Sequence, residues 1–158
     1  MIEKQIAVSF SIFRYEELEA NIQNLIEKAK QETEKSYSPY SNFAVGAAVL
    51  LDSGEVFAGS NQENASYPSG LCAERVAMFY ANAQCPDNKP VAMAIAAKNG
   101  GGFLKNPITP CGSCRQALLE TEKRFGSKIK VYLFGTEAVY CLESIISLLP
   151  LAFTQEQF

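Results

Sequence analysis

Two short stretches, Cys72-Ala73-Glu74-Arg75 and Pro110-Cys111-Gly112-Ser113-Cys114, decide the fold that we expect. The last two cysteines are three residues apart, so both thiols lie on one face of a helix that begins near Pro110. Proline is tolerated there because the first N–H groups of a helix have no intrahelical partner. A second helix is expected to begin near Cys72, since residues 74–79 contain neither glycine nor proline. The two helices would point their N-termini at one cluster of three cysteines.

Three thiolates in such a cluster suit a zinc ion, which proteins bind with four tetrahedral ligands. With three protein ligands the fourth position stays open, and an open position distinguishes a catalytic zinc site from a structural one. Glu74 is the candidate proton shuttle, because hydrolysis needs a group that takes a proton from water. The chain contains no histidine that could replace it. Arg75 is expected to donate to the thiolate sulfurs and to offset their negative charge.

A structural zinc site is the alternative interpretation of the same cysteines. A Cys-x-x-Cys pair is common in zinc ribbons, and Cys85 or Cys141 could supply a fourth ligand. The protein would then be a non-catalytic zinc module that binds a partner protein. Structural sites usually pair two Cys-x-x-Cys motifs, whereas here the partner is a lone cysteine followed by glutamate. We therefore favour the catalytic interpretation, with Cys85 and Cys141 as inert thiols.

Length and composition describe an ordinary globular protein. The 158 residues fit one domain, 1–158, that can bury a substantial core. The net charge is −3 and the pI is about 5.1. Proteins that bind nucleic acid polymers usually have a basic surface, so these values argue against that class. The N-terminus does not have the pattern of a signal peptide, and no stretch approaches the ~18 apolar residues of a membrane span. Five cysteines without a disulfide framework indicate a reducing compartment, so we expect a cytoplasmic protein.

Hydrophobic patterning predicts strands alternating with helices. The predicted strands are 4–13, 43–51, 56–59, 91–97, 129–134 and 138–141. The predicted helices are 16–35, one that begins near 72, 111–124 and 142–149. The link at 135–137 is too short for a parallel crossover, so the last two strands should be antiparallel. Residues 61–64 are polar and follow a strand, a place where binding sites are often lined.

Several stretches together resemble the small homotetrameric cytidine deaminases. They are residues 39–47 (Pro-Tyr-Ser-Asn-Phe-Ala-Val-Gly-Ala), 59–65 (Gly-Ser-Asn-Gln-Glu-Asn-Ala), 72–75, 110–116 (Pro-Cys-Gly-Ser-Cys-Arg-Gln) and 148–150 (Leu-Leu-Pro). The resemblance implies a three-layer α/β/α sandwich around a mixed five-stranded sheet. Deaminases that act on tRNA or single-stranded DNA look similar at the zinc but place a helix between the last two strands, where this chain has no room for one.

The resemblance implies that Cys72, Cys111 and Cys114 bind one zinc ion and that Glu74 moves the protons. The reaction would be hydrolysis of cytidine, and of 2′-deoxycytidine, to the uridine nucleoside and ammonia in pyrimidine salvage. A nearby alternative is deamination of another cytosine-bearing small molecule, such as a nucleoside antibiotic of the blasticidin type.

Substrate contacts are implied in the same way. Phe43 would pack against the pyrimidine ring, and the backbone N–H of Ala73 would meet the pyrimidine carbonyl. Asn61 and Glu63 would hydrogen-bond the ribose hydroxyls, which argues against the antibiotic because a site built to read a hydroxyl rejects a substrate that lacks it.

Two aromatic residues, Tyr67 and Phe153, resemble those that the family contributes across a subunit boundary, so the implied homotetramer would be part of the active site.

Three features depart from the family pattern: residues 1–15, which lie outside its usual span, the segment Gly100-Gly101-Gly102, interpreted as flexible, and Leu151 in the tail.

Overall fold

A mixed β-sheet forms the middle layer of the molecule, of which the computed structural model describes residues 1–157. Within that range the strands are β1 (Ser11–Phe13), β2 (Ala44–Leu51), β3 (Val56–Ser60), β4 (Pro90–Asn99), β5 (Gly102–Phe103), β6 (Lys130–Phe134) and β7 (Val139–Leu142). The helices are α1 (Ala20–Glu32), α2 (Ala73–Gln84) and α3 (Gly112–Phe125). The α/β class and the mixed sheet are as predicted.

The strands lie in the order β1-β7-β6-β4-β2-β3, and β5 pairs with β4. Strands β4 and β6 are parallel, and the other pairs, including the last two strands, are antiparallel as predicted. The sheet has seven strands in the described residues rather than the predicted five. The additional strands are short: β1 adds an edge beside β7, and β5 folds back on the end of β4.

Helices cover both faces of the sheet. Helix α1 packs on one face, where β4 presents Ala92, Ala94 and Ala96. These small side chains let α1 approach the sheet closely. Helices α2 and α3 pack on the other face over larger side chains of the same strands, among them Met93 and Ile95. Successive side chains of a strand point to opposite faces, so β4 serves two different cores. The result is the predicted three-layer sandwich.

Element boundaries differ from the prediction mainly at the chain ends. The predicted strand 4–13 forms only at Ser11–Phe13, which pairs with Val139–Cys141 of the four-residue strand β7. The predicted helix 16–35 is α1 flanked by short 3-10 helices at Tyr15–Glu17 and Thr33–Lys35. The predicted helix 142–149 is a 3-10 helix, Ile145–Leu148. No helix among residues 1–157 is long and apolar enough to cross a membrane.

Two segments that depart from the family pattern meet around Lys30 of α1. Its ammonium lies 5.8 Å from the ring centre of Tyr15, 5.4 Å from that of Phe103 and 5.0 Å from that of Phe134. A cation over aromatic faces is attracted by the ring quadrupoles. The N-terminal segment, through Tyr15, and strand β5, through Phe103, therefore both contact Lys30 of α1.

One edge of the sheet sets the position of the functional residues. After β3 the backbone of Gln62 exchanges two hydrogen bonds of 2.9 Å with Leu71, which places Cys72 beside the end of β3. The same segment is held to the beginning of β2 by the hydrogen bond from the Asn61 N–H to the Val45 carbonyl, 3.1 Å.

Candidate metal centre and substrate cavity

Three cysteines from two helix N-termini form a cluster. Cys72 is the N-cap of α2, Cys111 is the N-cap of α3, and Cys114 lies in the first turn of α3. Their sulfur atoms all lie within 4.8 Å of one another, and the Cys72 and Cys111 sulfurs are 3.6 Å apart. Zinc–sulfur bonds of about 2.3 Å at tetrahedral angles place sulfurs about 3.8 Å apart. The donor set and its spacing therefore fit a zinc ion.

The electrostatic surroundings favour a thiolate at Cys72, whereas hydrogen bonding to Cys72 and burial raise the pKa of the Cys114 thiol. Hydrogen bonding from Cys114, helped by Cys111 and Arg75, lowers the pKa of the Cys72 thiol to about 5. The Arg75 guanidinium reaches the Cys72 sulfur at 4.0 Å, a position from which its charge can offset that of a thiolate. The positive ends of α2 and α3 act in the same direction.

Glu74 lies in the first turn of α2, two residues after Cys72, and its side chain is almost completely buried, with 4% of its surface exposed. Burial raises the pKa of the Glu74 carboxyl to about 6, and the neighbouring Cys72 acts in the same direction. A carboxyl group with a pKa near neutrality can both accept and release protons at physiological pH.

A cavity of about 550 Å³ opens beside the cluster. Its lining brings together five residues that the sequence nominated, namely Asn61, Glu63, Tyr67, Cys72 and Arg75. The remaining lining residues are Tyr40, Ser41, Gln62, Asn64, Gly70 and Leu71. Tyr40, Ser41, Gln62 and Asn64 were quoted only as parts of longer stretches, whereas Gly70 and Leu71 were not quoted; their one signal was that they directly precede Cys72.

Asn61 and Glu63 are both held by other parts of the chain. The Asn61 amide oxygen accepts from Val45 N–H at 2.8 Å and Ser36 Oγ at 2.6 Å, and its amide nitrogen donates to the Phe43 carbonyl at 2.9 Å. One amide hydrogen of Asn61 is left for a ligand, since a primary amide carries two.

The Glu63 carboxylate anchors the turn at residues 40–41. It accepts from Ser41 Oγ at 2.5 Å and from Tyr40 N–H at 2.8 Å. Hydrogen bonding from the Ser41 hydroxyl and from the N–H groups of Tyr40 and Ser41 lowers the pKa of the Glu63 carboxyl, which keeps it anionic.

Of the nominated substrate contacts, Phe43, Ala73 and Phe153 lie outside the cavity lining, whereas Tyr67 is part of it. Phe43 is half-buried against the core of α2 and α3, and Ala73 is buried as the first residue of α2. Tyr67 is 76% exposed, with its ring edge-on to that of Tyr40 at 5.9 Å. Phe153 is 60% exposed, and its carbonyl accepts from Gln116 Nε2 at 3.0 Å.

Cys85 and Cys141 cannot complete a four-cysteine site. Cys85 is the C-cap of α2, at the end opposite Cys72, and a helix of twelve residues is about 18 Å long. Cys141 belongs to the core on the α1 side of the sheet. The structural-zinc alternative that used either of them is therefore excluded.

Residues 19–127 match the family model described as "Cytidine and deoxycytidylate deaminase zinc-binding region". That span is more than half of the chain and includes all three clustered cysteines and Glu74. The chain belongs to the cytidine deaminase family.

Named relatives agree with this assignment. A cytidine deaminase of Halalkalibacterium halodurans is 42% identical over 134 residues, which are 85% of this chain and 95% of that protein. The crystal structure of cytidine deaminase from Burkholderia pseudomallei superposes with a TM-score of 0.70 at 42% identity, covering 82% of this chain and 97% of that one. That of the Mycobacterium tuberculosis enzyme gives 0.67 at 32% identity, over 86% and 99%. The predicted family, enzyme class and zinc cofactor are confirmed by these matches together with the cysteine cluster.

Proposed function

We propose that this protein hydrolyses cytidine to uridine and ammonia, with Cys72, Cys111 and Cys114 as ligands of one zinc ion. The observation that carries the proposal is the buried Glu74 beside a three-cysteine cluster that opens, through Cys72, onto a cavity large enough for a small ligand. The relatives named above are cytidine deaminases, which supports this substrate.

Glu74 moves the protons of the reaction. Zinc, when bound, supplies a Lewis acid that lowers the pKa of a water toward neutrality. Glu74 takes a proton from the attacking water and delivers it to N3 of the pyrimidine as the new C–O bond forms at C4. It then carries the proton of the new C4 hydroxyl to the amine. The C4–N bond breaks and ammonia leaves, so one water is consumed for each ammonia released.

The proposed substrate contacts are those that the family resemblance implies, and the chemistry of the groups supports them. Phe43 packs against the pyrimidine ring, an apolar contact that tolerates either the cytosine or the uracil ring. The N–H of Ala73, at the positive end of α2, meets the pyrimidine carbonyl. The Glu63 carboxylate and the remaining amide hydrogen of Asn61 bind the ribose hydroxyls. We propose that 2′-deoxycytidine is also a substrate, because it keeps the base and the 3′-hydroxyl.

We further propose a homotetramer in which Tyr67 and Phe153 complete the site of a neighbouring subunit. The large exposed fractions of both rings support this. Three other large hydrophobic residues, Tyr37, Tyr40 and Leu71, are also exposed and would be covered by a neighbouring subunit. Light scattering tests the homotetramer, with a particle of four times the 17.3 kDa chain mass as the expected result.

The biological role that fits such an enzyme is cytoplasmic pyrimidine salvage, which growth of a pyrimidine-requiring strain on cytidine would test.

The deciding experiment compares the wild type with Glu74→Gln, measuring the loss of cytidine absorbance and the zinc content of both proteins. We expect kcat to fall by about 10²- to 10⁴-fold, the usual contribution of a general acid–base group, with zinc retained. Glu120→Gln is the control, because Glu120 is exposed on α3. A wild type that holds zinc but converts neither cytidine nor 2′-deoxycytidine would overturn the proposed function.

A further inference from the structure

Arg115 directly follows the zinc ligand Cys114 on α3 and makes three hydrogen bonds with its guanidinium. Nε donates to the Pro110 carbonyl at 2.8 Å, Nη1 to the Leu148 carbonyl at 2.7 Å, and Nη2 to Thr109 Oγ1 at 3.0 Å. These acceptors belong to two separate parts of the chain, and none of them is a carboxylate. The side chain therefore acts as a structural fork rather than as half of an ion pair.

The first part held by Arg115 is the loop that leads into Cys111. Residues 106–110 make no backbone–backbone hydrogen bonds within the part of the chain that the structure describes. The bonds from Arg115 to Thr109 and Pro110 are thus direct polar restraints on the residues just before the ligand. They fix the Cys111 sulfur relative to Cys114, which lies on the same helix as Arg115.

The second part is the C-terminal tail. Leu148 is the last residue of the 3-10 helix Ile145–Leu148, after which the chain turns at Pro150 toward Phe153. Gln116, the next residue of α3, donates to the Phe153 carbonyl at 3.0 Å. Two adjacent side chains of α3 therefore hold the beginning and the continuation of the tail.

We propose that Arg115 is a positioning residue that couples the geometry of the zinc ligands to the position of the tail carrying Phe153. Arg115 is not among the residues that line the cavity, and its three hydrogen bonds go to two carbonyls and a threonine hydroxyl rather than to a cysteine sulfur. It acts through the loop before Cys111 on one side and through Leu148 on the other. The importance of the tail for turnover rests on the function proposed above, whereas the effect on the metal ligands does not.

Lysine cannot replace arginine in this role. The three acceptors lie around a planar guanidinium, whose five N–H groups point in fixed directions, whereas an ammonium is a compact point charge. Arg115→Lys should therefore keep the positive charge but lose at least one of the two connections.

The test measures zinc affinity by competition with a chromogenic chelator in Arg115→Lys, Arg115→Met and Arg124→Met. We expect zinc affinity to fall about 10- to 100-fold in both Arg115 variants, the usual effect of removing groups that orient metal ligands. Arg124 is the matched control, because it also lies on α3 and also donates to a carbonyl, that of Pro86 at 3.0 Å. Arg124→Met should leave zinc affinity unchanged.

A second readout follows the tail directly. The chain has no tryptophan, so Phe153→Trp places one fluorophore on the tail. Its emission anisotropy should fall when Arg115→Lys or Gln116→Leu is added, and only the Arg115 change should also weaken zinc binding. In the otherwise wild-type enzyme, Gln116→Leu should raise KM for cytidine several-fold with kcat nearly unchanged.

Zinc affinity within twofold of wild type in folded Arg115→Lys would overturn the proposal. So would an anisotropy that does not respond to Arg115→Lys. Both readouts are independent of turnover, so they still decide the matter if the wild type proves inactive on cytidine. If Arg115→Met fails to fold, the lysine variant alone gives the answer.

Discussion

Glu122 shows how one buried carboxyl group connects three elements of the fold. It lies near the end of α3 and is almost fully buried. Its Oε1 accepts from the N–H groups of Ile129 at 2.8 Å and Ile145 at 3.0 Å, and its Oε2 accepts from Ser144 Oγ at 2.7 Å. Residue 129 leads into β6, and Ile145 begins the 3-10 helix before the tail, so α3 holds both through one side chain.

We expect Glu122→Ala to lower the free energy of unfolding by about 3 kcal/mol or more, because each buried donor left without an acceptor costs about 1–3 kcal/mol. Urea unfolding followed by circular dichroism measures this. Glu122→Gln should cost less, since an amide oxygen still accepts from the two N–H groups. Glu120→Ala, exposed on the same helix, should change stability by no more than about 0.5 kcal/mol. Equal stability of the Glu122→Ala and Glu120→Ala variants would contradict the role of Glu122.

Among the residues of the site, those with a local pattern were predictable and those with distant partners were not. The spacing of Cys111 and Cys114 fixes a shared helix face without any tertiary knowledge. The position of Glu74, two residues after Cys72, likewise follows from one helical turn. The turn that Glu63 holds lies 22 to 23 residues earlier in the chain, and nothing in its local sequence indicates such a contact.

At the scale of elements, the backbone at the end of α1 lies close against the sheet at Gly46 of β2. A Cβ atom added there would lie 2.0 Å from the Ala29 carbonyl oxygen and 2.8 Å from the Thr33 nitrogen, both backbone atoms. Backbone atoms of a packed helix cannot move aside as a flexible side chain can. The absence of a side chain at this position therefore sets the distance between two layers of the sandwich.

Gly46→Ala should destabilise the protein by about 3 kcal/mol or more, at or beyond the upper end of the usual cost of overpacking. Thermal unfolding checks this, with Gly100→Ala as the matched control, because a Cβ atom at Gly100 would meet nothing within 4 Å. Similar melting temperatures for the two variants would show that α1 can shift away from β2 at little cost.

A strand was predictable where its apolar pattern was long and long partner strands were available to pair with it. The apolar run 43–51 became β2 nearly as expected, since β3 and β4 flank it on both edges. The loose alternation at 4–13 also predicted a strand, yet only three of those residues pair, because β7 is too short to receive the rest. Gly100-Gly101-Gly102 was interpreted as a flexible connection, but Gly102 begins β5, and Phe103 packs over Lys30. Strand formation depends on a distant partner, which a local pattern does not contain.

For the whole molecule, the family resemblance implied the three-layer architecture, and the short link at 135–137 predicted the antiparallel last pair of strands. The cysteine stretches predicted that the N-termini of two helices meet, as those of α2 and α3 do. The count of five strands came from the family resemblance and left out β1, although β1 lies within the predicted strand 4–13. Strand β5 was not predictable, because two residues are too few to show a pattern.

The proposed metal centre has a consequence for stability as well as for chemistry, since its three cysteines lie at the N-termini of α2 and α3, with Cys72 and Cys111 39 residues apart in the chain. Bound zinc is therefore a cross-link within the native state, and a ligand that binds only folded protein raises the free energy of unfolding by about 1.4 kcal/mol for each tenfold rise in its free concentration above Kd.

The melting temperature of the wild type should accordingly climb with the logarithm of buffered free zinc, and that of Cys111→Ser should respond much less. A wild-type melting temperature that ignores free zinc would contradict this linkage. The heat tolerance of the protein is then set partly by the zinc supply of its surroundings.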